Sequence, residues 1–347
     1  MRWSRVYIEA IGYELPDERV RSTDLEARLA PLYDALRLQP GQLEALTGIR
    51  ERRFWPQGQR MAPCAAQAAR KALAQTAVTP ADLGAVIYAG VCRDDLEPAT
   101  ACGVADAIGT SPDAWIFDVS NACLGVLNGM VEIANRIELG QIRAGVVVAS
   151  ESSRHIVEQT LARLLAAPRL DELKACLATL TGGSGAAAVV LSDGSFGNAA
   201  AHRLLGGAAL SAPRHHELCR WGPPEGLLGE RPSVANTDAA AILANGVDLG
   251  RHTWERFTQE LGWSAETLDR VICHQVGGSH RRSILSSLGL ADGKDFSTFP
   301  TLGNMGTVAL PATAAIAAQA GFLRSGDRVG FLGIGSGLNC LMLGVQW

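Results

Sequence analysis

Two stretches of this chain are too apolar to lie at a protein surface. Residues 122–133 (ACLGVLNGMVEI) carry one charge and residues 305–323 (MGTVALPATAAIAAQAGFL) carry none. The second has the length of a membrane span, but its Gly, Thr, Gln and Pro and its many alanines (309, 312, 314, 315, 317, 318 and 320) make it weakly hydrophobic, which favours a buried helix. A helix that is apolar on every side must be covered on every side. One such helix in each half of the chain predicts a central helical layer between two sheets.

The surrounding pattern supplies the sheets. Short apolar runs at 85–89 (AVIYA), 115–119 (WIFDV), 144–149 (AGVVVA), 186–191 (AAAVVL), 270–273 (RVIC) and 328–332 (RVGFL) alternate with helix-like stretches, the pattern of α/β units with crossover connections. A glycine turn feeds a final strand twice, at Gly182-Gly-Ser-Gly and at Gly333-Ile-Gly-Ser-Gly. The separation is about half the chain, and 347 residues allow roughly two domain-sized units. The expected division is residues 1–195 and 196–347. The polar segments 154–178 and 202–236 read as insertions that shape a substrate channel.

Composition excludes several functions. With 31 Lys+Arg against 35 Asp+Glu the net charge is −4, without the basic stripe of a nucleic-acid binder. The basic N-terminus is interrupted by Glu9 and Glu14 before any signal-peptide core can form, so a soluble, cytoplasmic protein without a membrane span is expected. The eight cysteines (64, 92, 102, 123, 176, 219, 273 and 340) contain no CxxC pair. They read as reduced thiols, and no metal site is expected.

Three residues have settings suited to chemistry. Cys123 stands where a strand turns into the first buried helix, where backbone N–H groups and the positive end of the helix dipole favour thiolate. His274 follows the strand 270–273, at the carboxyl end where α/β sites open. Asn304 occupies a glycine-flanked turn (TLGNMG) at the mouth of the second buried helix, placed to donate an amide hydrogen bond beside His274. Each also has a purely structural reading: a small buried residue at a tight turn, a hydrogen-bonded histidine, a helix cap. His155, His215, His216 and His280 lack a comparable setting.

Taken together, in this order and spacing along the whole chain, Cys123, His274, Asn304 and the terminal Gly333-Ile-Gly-Ser-Gly resemble the thiolase superfamily, and within it the ketoacyl-ACP synthase III type. The resemblance implies a five-layered αβαβα sandwich of two duplicated halves and a homodimer. It implies that Cys123 is acylated by a thioester, that His274 and Asn304 bind the second thioester's carbonyl, and that the backbone N–H groups of Cys123 and Ser336 form an oxyanion hole. Asn245 and Gly246, read as preceding a helix over 247–261, correspond to a family segment near the pantetheine path. No cofactor is implied beyond CoA or acyl carrier protein thioesters as substrates.

One departure separates subtypes. Where decarboxylating synthases carry an apolar residue in the loop before the nucleophile, this chain reads RDDLEPATA, with Glu97 at that position. A malonyl thioester generates its enolate by losing carbon dioxide and needs no base. An ordinary acyl thioester must lose an α-proton, for which a positioned carboxylate is a candidate base. The loop, NACLGVLNGM and the C-terminal GDRVGFLGIGSGLNCLMLGVQW resemble the acyl-CoA condensing branch of the family, in which this loop reaches the partner subunit's site. The expected reaction is non-decarboxylative Claisen condensation of two fatty acyl-CoA molecules. The alternatives are a decarboxylating synthase III using malonyl-ACP, a cysteine hydrolase with Cys, His and Asn in papain-like order, and a non-catalytic subunit.

Overall fold

Residues 1–347 are described by the computed structural model with the exception of Ala199, Pro224 and Pro232. Its frame is a nine-stranded sheet, numbered in chain order as β1 (Tyr7–Glu14), β2 (Leu83–Tyr88), β3 (Trp115–Asp118), β4 (Ala144–Glu151), β5 (Gly185–Ser192), β6 (His202–Ser211), β7 (Arg270–Cys273), β8 (Arg328–Gly335) and β9 (Asn339–Gln346). The spatial order is β7-β8-β9-β6-β1-β5-β4-β2-β3. β4 and β5 are buried along their whole length, which is why they read as unbroken apolar runs rather than alternating ones.

The order repeats itself. From the β3 edge inward, the first five strands stand third, second, fourth, fifth, first in chain order, with the first two contacts parallel and the next two antiparallel. From the other edge, a single parallel bridge at Asp295 stands in for the third strand beside β7, and β8, β9 and β6 follow with the same senses. β1 and β6 meet antiparallel through Tyr7–Arg203 and Ile8–His202, joining the two sets.

Side-chain alternation sorts the strands onto three cores. Ile87, Val147, Val189, Phe331 and Leu343 share one core with the helices Gly125–Glu138 and Ala309–Gln319. Val86, Val146 and Val190 face the opposite way, onto Met61–Leu73 and Thr100–Ile108. Val271, Leu332 and Met342 face Ala239–Leu261 and Gly278–Ser287. The two apolar stretches therefore form the middle layer of a thiolase-like five-layered αβαβα sandwich. The second is shorter than its apolar run, a 3-10 turn Gly306–Val308 followed by Ala309–Gln319. Among the described residues no helix is long and apolar enough to cross a membrane.

Several boundaries differ from expectation. β1 and β6 carry glycines that weaken a strand pattern but are needed for close packing: a Cβ on Gly12 would lie 2.3 Å from the Ala68 carbonyl oxygen, and one on Gly207 would lie 2.1 Å from that of Met342. Residues 202–211 are thus a sheet strand, not part of an insertion. The remainder of that segment contains the hairpin Cys219–Gly222 and Val234–Thr237. Asn245 and Gly246 lie inside the helix Ala239–Leu261 rather than before it, because Asp238 caps the Ala241 N–H and the following residues Ala-Ala-Ala-Ile-Leu-Ala are strong helix formers. The segment after β4 forms Arg154–Ala166 and Leu170–Cys176, which pack with the N-terminal helices into a fourth core.

Candidate active site

Cys123 lies in a 3-10 turn, Ala122–Leu124, that leads into Gly125–Glu138. Ala122, immediately before it, has φ +43°, a left-handed conformation rare for a residue with a Cβ, and so a local kink in the chain at the nucleophile. The turn is held from the other half of the chain. The Val126 N–H donates to Thr307 Oγ1 (2.7 Å), and Asn339 Nδ2 donates to Asn121 Oδ1 (3.0 Å) while Asn121 Nδ2 donates to Asn128 Oδ1 (2.8 Å). The terminal glycines permit this approach: a Cβ on Gly335 would come within 3.3 Å of the Cys123 nitrogen, and one on Gly333 within 2.6 Å of both Leu124 and Leu127. Ser336, next in the chain, has its carbonyl tied to Asn339 Nδ2 (3.4 Å).

His274 extends β7 by one hydrogen bond, from its N–H to the Leu332 carbonyl (3.0 Å). The neighbouring Gln275 ties this segment to the Asn304 turn. Its Nε2 donates to the Cys273 carbonyl (2.7 Å), and its Oε1 accepts from the N–H groups of Thr298 (3.0 Å) and Phe299 (3.3 Å). In the turn itself, the Asn304 N–H donates to Thr181 and its carbonyl accepts from Gly183. Asn304 Oδ1 accepts from the Gly306 N–H (3.0 Å), which leaves Nδ2 as the donor available to the cavity.

Cys123, His274, Asn304 and Ser336 all line one cavity of about 450 Å³, a volume in the range of small-molecule sites. Its wall mixes aliphatic side chains, among them Ile156 from the segment after β4, Ile242, Ile334 and Leu338, with polar ones, and the hairpin supplies Cys219, Arg220 and Trp221. Both polar segments of the sequence analysis therefore reach the cavity. Asn245 does not line it: its Nδ2 donates to the Ala241 carbonyl (2.8 Å). Gly246 is buried against Ile334, where a Cβ would meet that wall residue at 3.1 Å. Glu97 is exposed and lies outside its own chain's cavity lining.

The electrostatics alter one expectation. Burial pushes the Cys123 thiol up to about 12, with the nearby Cys219 and Glu151 adding to the effect. Desolvation thus outweighs the backbone hydrogen bond that favours the thiolate. Burial pushes His274 down to about 3, so the imidazole is neutral in the free site.

Two further titratable residues reach the cavity: His280, which lacks a comparable setting in the sequence, and Glu151, which the sequence does not single out. His280, two residues into Gly278–Ser287, is held down to about 4 by burial and lowers His274 further. Glu151, the last residue of β4, is buried at the cavity wall and pushed up to about 7 by desolvation. The signal for Glu151 was an acid ending an otherwise apolar strand; nothing local marked His280.

The chain is 55% identical to the acyl-CoA:acyl-CoA alkyltransferase of Shewanella oneidensis, with 100% of both chains covered. It belongs to that OleA family of condensing enzymes. A solved structure of Xanthomonas campestris OleA with bound lauric acid and lauroyl-CoA superposes with a TM-score of 0.92 at 35% identity, covering 99% of this chain and 100% of that one. Residues 258–347 match the model for the C-terminal part of 3-oxoacyl-[acyl-carrier-protein] synthase III. A β-ketoacyl-[acyl-carrier-protein] synthase III from Thermosynechococcus vestitus is 27% identical over 85% of this chain and 86% of its own. The OleA-family chain is accordingly an acyltransferase of the synthase III type.

Proposed function

We propose that this OleA-family chain joins two fatty acyl-CoA molecules by non-decarboxylative Claisen condensation. The observation that carries the reading is the meeting of a thiol, a neutral imidazole, an amide donor and a backbone N–H turn on one cavity. In the first half-reaction the Cys123 sulfur attacks an acyl-CoA carbonyl as its proton passes to His274. The tetrahedral oxygen is held by the N–H groups of Cys123 and Ser336, and collapse expels CoA, which takes the proton from His274. The covalent acyl-enzyme divides one difficult reaction into two.

In the second half-reaction another acyl-CoA loses its α-proton to a carboxylate, and its enolate oxygen is held by His274 and Asn304 Nδ2. The α-carbon attacks the Cys123 thioester, the C–S bond breaks, and the product is a 2-alkyl-3-ketoacyl-CoA. Cys123 leaves as thiolate and is reprotonated. Glu97 is the proposed base. Since it faces outward from its own chain, the reading makes the working unit a homodimer in which Glu97 of the partner subunit enters each cavity. The two strand sets, residues 1–195 and 196–347, then contribute Cys123 and the His274–Asn304 pair respectively to one site. The proposed reaction uses CoA thioesters in the cytoplasm and calls for no cofactor.

The decarboxylating alternative gives Glu97 no chemical task, and a carboxylate there would repel a malonyl group. The test is Glu97→Ala with acyl-CoA as the sole substrate. Acylation of Cys123 should persist in intact-protein mass spectra while the β-keto product disappears. Retained condensation would remove Glu97 from the mechanism.

A further inference from the structure

We infer that Glu151 is a positioning residue that holds the Glu97 loop and the Asn304 turn in register around the acyl cavity. The inference rests on the reading of Glu97 as base and adds the device that places it. Glu151 ends β4 with its carboxylate buried. Its Oε1 accepts from the Val91 N–H (2.8 Å) and its Oε2 from the Cys92 N–H (3.1 Å). These two amides are the root of the loop that carries Glu97. On its other side the same carboxylate packs on Gly306, where a Cβ would lie 3.3 Å from Glu151 Cγ and 3.5 Å from Oε1. Gly306 in turn donates the hydrogen bond that orients the Asn304 side chain.

The rest of the loop is held in the same manner. Asp94 accepts from the N–H groups of Met61 and Ala62, and Asp118 accepts from those of Thr100 and Ala101 (3.0 and 2.9 Å). Between these anchors Asp95, Leu96 and Glu97 stand out exposed, with Leu96 68% accessible. The loop is therefore a short arm fixed at both ends, and its inner anchor is an acid of the cavity wall. A neutral residue would serve poorly, because two backbone donors converge on one side chain and only a carboxylate offers an acceptor to each. The same pair of donors favours the charged form, against the burial that raises Glu151 to about 7.

The experiment compares Glu151→Gln with Glu97→Ala and the parent enzyme, each supplied with a single acyl-CoA, and measures the ratio of β-keto product to free fatty acid. That ratio reports how the acyl-enzyme partitions between condensation and hydrolysis and does not depend on how much of each sample is folded. The amide of Gln places an N–H donor against one of the two backbone donors, so the ratio should fall about tenfold or more, the scale of one lost charge-assisted hydrogen bond. The acyl adduct on Cys123 should still form. Glu151→Asp, which keeps the charge but is one methylene short of the loop, should lower the ratio in the same direction and is the second variant if Glu151→Gln does not fold. A parent-like ratio in the Glu151 variants, with a lowered ratio in Glu97→Ala, overturns the positioning role alone. A parent-like ratio in Glu97→Ala overturns the base assignment and this inference with it.

Discussion

Gly125 gives the most demanding test of how the nucleophile is placed. It is the first residue of Gly125–Glu138, and a Cβ there would sit 2.0 Å from the Ala89 carbonyl oxygen and 3.1 Å from its carbon. Carbon–oxygen contacts settle near 3.3 Å or more, so Gly125→Ala requires the helix to retreat from the end of β2 by about 1 Å. The obstacle is backbone and cannot swing aside. Overpacking of this kind costs about 1–3 kcal/mol, from which the gain of Ala over Gly in a helix, at most about 1 kcal/mol, is subtracted. The net loss of at most about 2 kcal/mol corresponds, in a chain of 347 residues, to a Tm lower by up to roughly 3 °C.

The effect on chemistry should be larger than that on stability. Cys123 is two residues away, and the Val126–Thr307 hydrogen bond that joins its helix to the other half must stretch with the retreat. A displacement near 1 Å is worth about a hundredfold in rate. The assay is the time course of acyl-adduct formation on Cys123 by intact-protein mass spectrometry, beside a thermal melt. Gly293→Ala is the control, since a Cβ there meets nothing within 4 Å. Native acylation and a native Tm in Gly125→Ala would refute the claim that this contact sets the position of Cys123.

Asn304→Asp keeps an oxygen to accept from the Gly306 N–H but replaces the amide donor with charge beside a forming enolate; product analysis should show condensation lowered by about 10²–10³ with acylation retained. Acid should destabilise the fold through its desolvated histidines. His274 and His280 have folded values of about 3 and about 4, below the unfolded value, so the unfolded chain takes up protons first as pH falls below about 6.5. The stability held above that pH is lost progressively down to about 3–4. Glu151, raised to about 7, works in the opposite sense between its unfolded value and 7, where the folded state retains a proton that the unfolded chain has released. His202, also held down to about 4 by burial, adds to the loss, and Asp295, raised by burial, adds to the opposing side, so three histidines against two carboxyls leave a net loss on acidification. Melts of His280→Asn across pH should show a shallower decline, by on the order of 3 kcal/mol in total; an unchanged decline would remove His280 as a contributor.

What the sequence disclosed was local. Cys123, His274 and Asn304 each stand at a strand end or glycine turn, settings that five or six neighbouring residues announce, and the two strongly apolar stretches announce the middle layer. What it hid depends on distant approach. β1 and β6 were obscured by glycines whose purpose is contact with Ala68 and Met342, far along the chain. Glu151 acquires its role from Val91 and Cys92, sixty residues upstream, and His280 becomes a cavity residue only when Gly278–Ser287 turns it toward the site. The covering that raises the Cys123 thiol was hidden for the same reason: the helix start is visible in sequence, whereas the cavity wall over the thiol comes from the hairpin and the other half of the chain. Asn245 shows the reverse error, a polar pair taken for a boundary inside a helix that Asp238 had already started.

The central claim is that two ordinary acyl-CoA molecules are joined without decarboxylation. Its direct measurement is product analysis after incubation with lauroyl-CoA alone, with a parallel reaction given malonyl-ACP as the second substrate. The account predicts a branched β-keto thioester containing both lauroyl chains from the first reaction, formed through an acyl adduct on Cys123. A β-keto product that appears only when malonyl-ACP is present would contradict it.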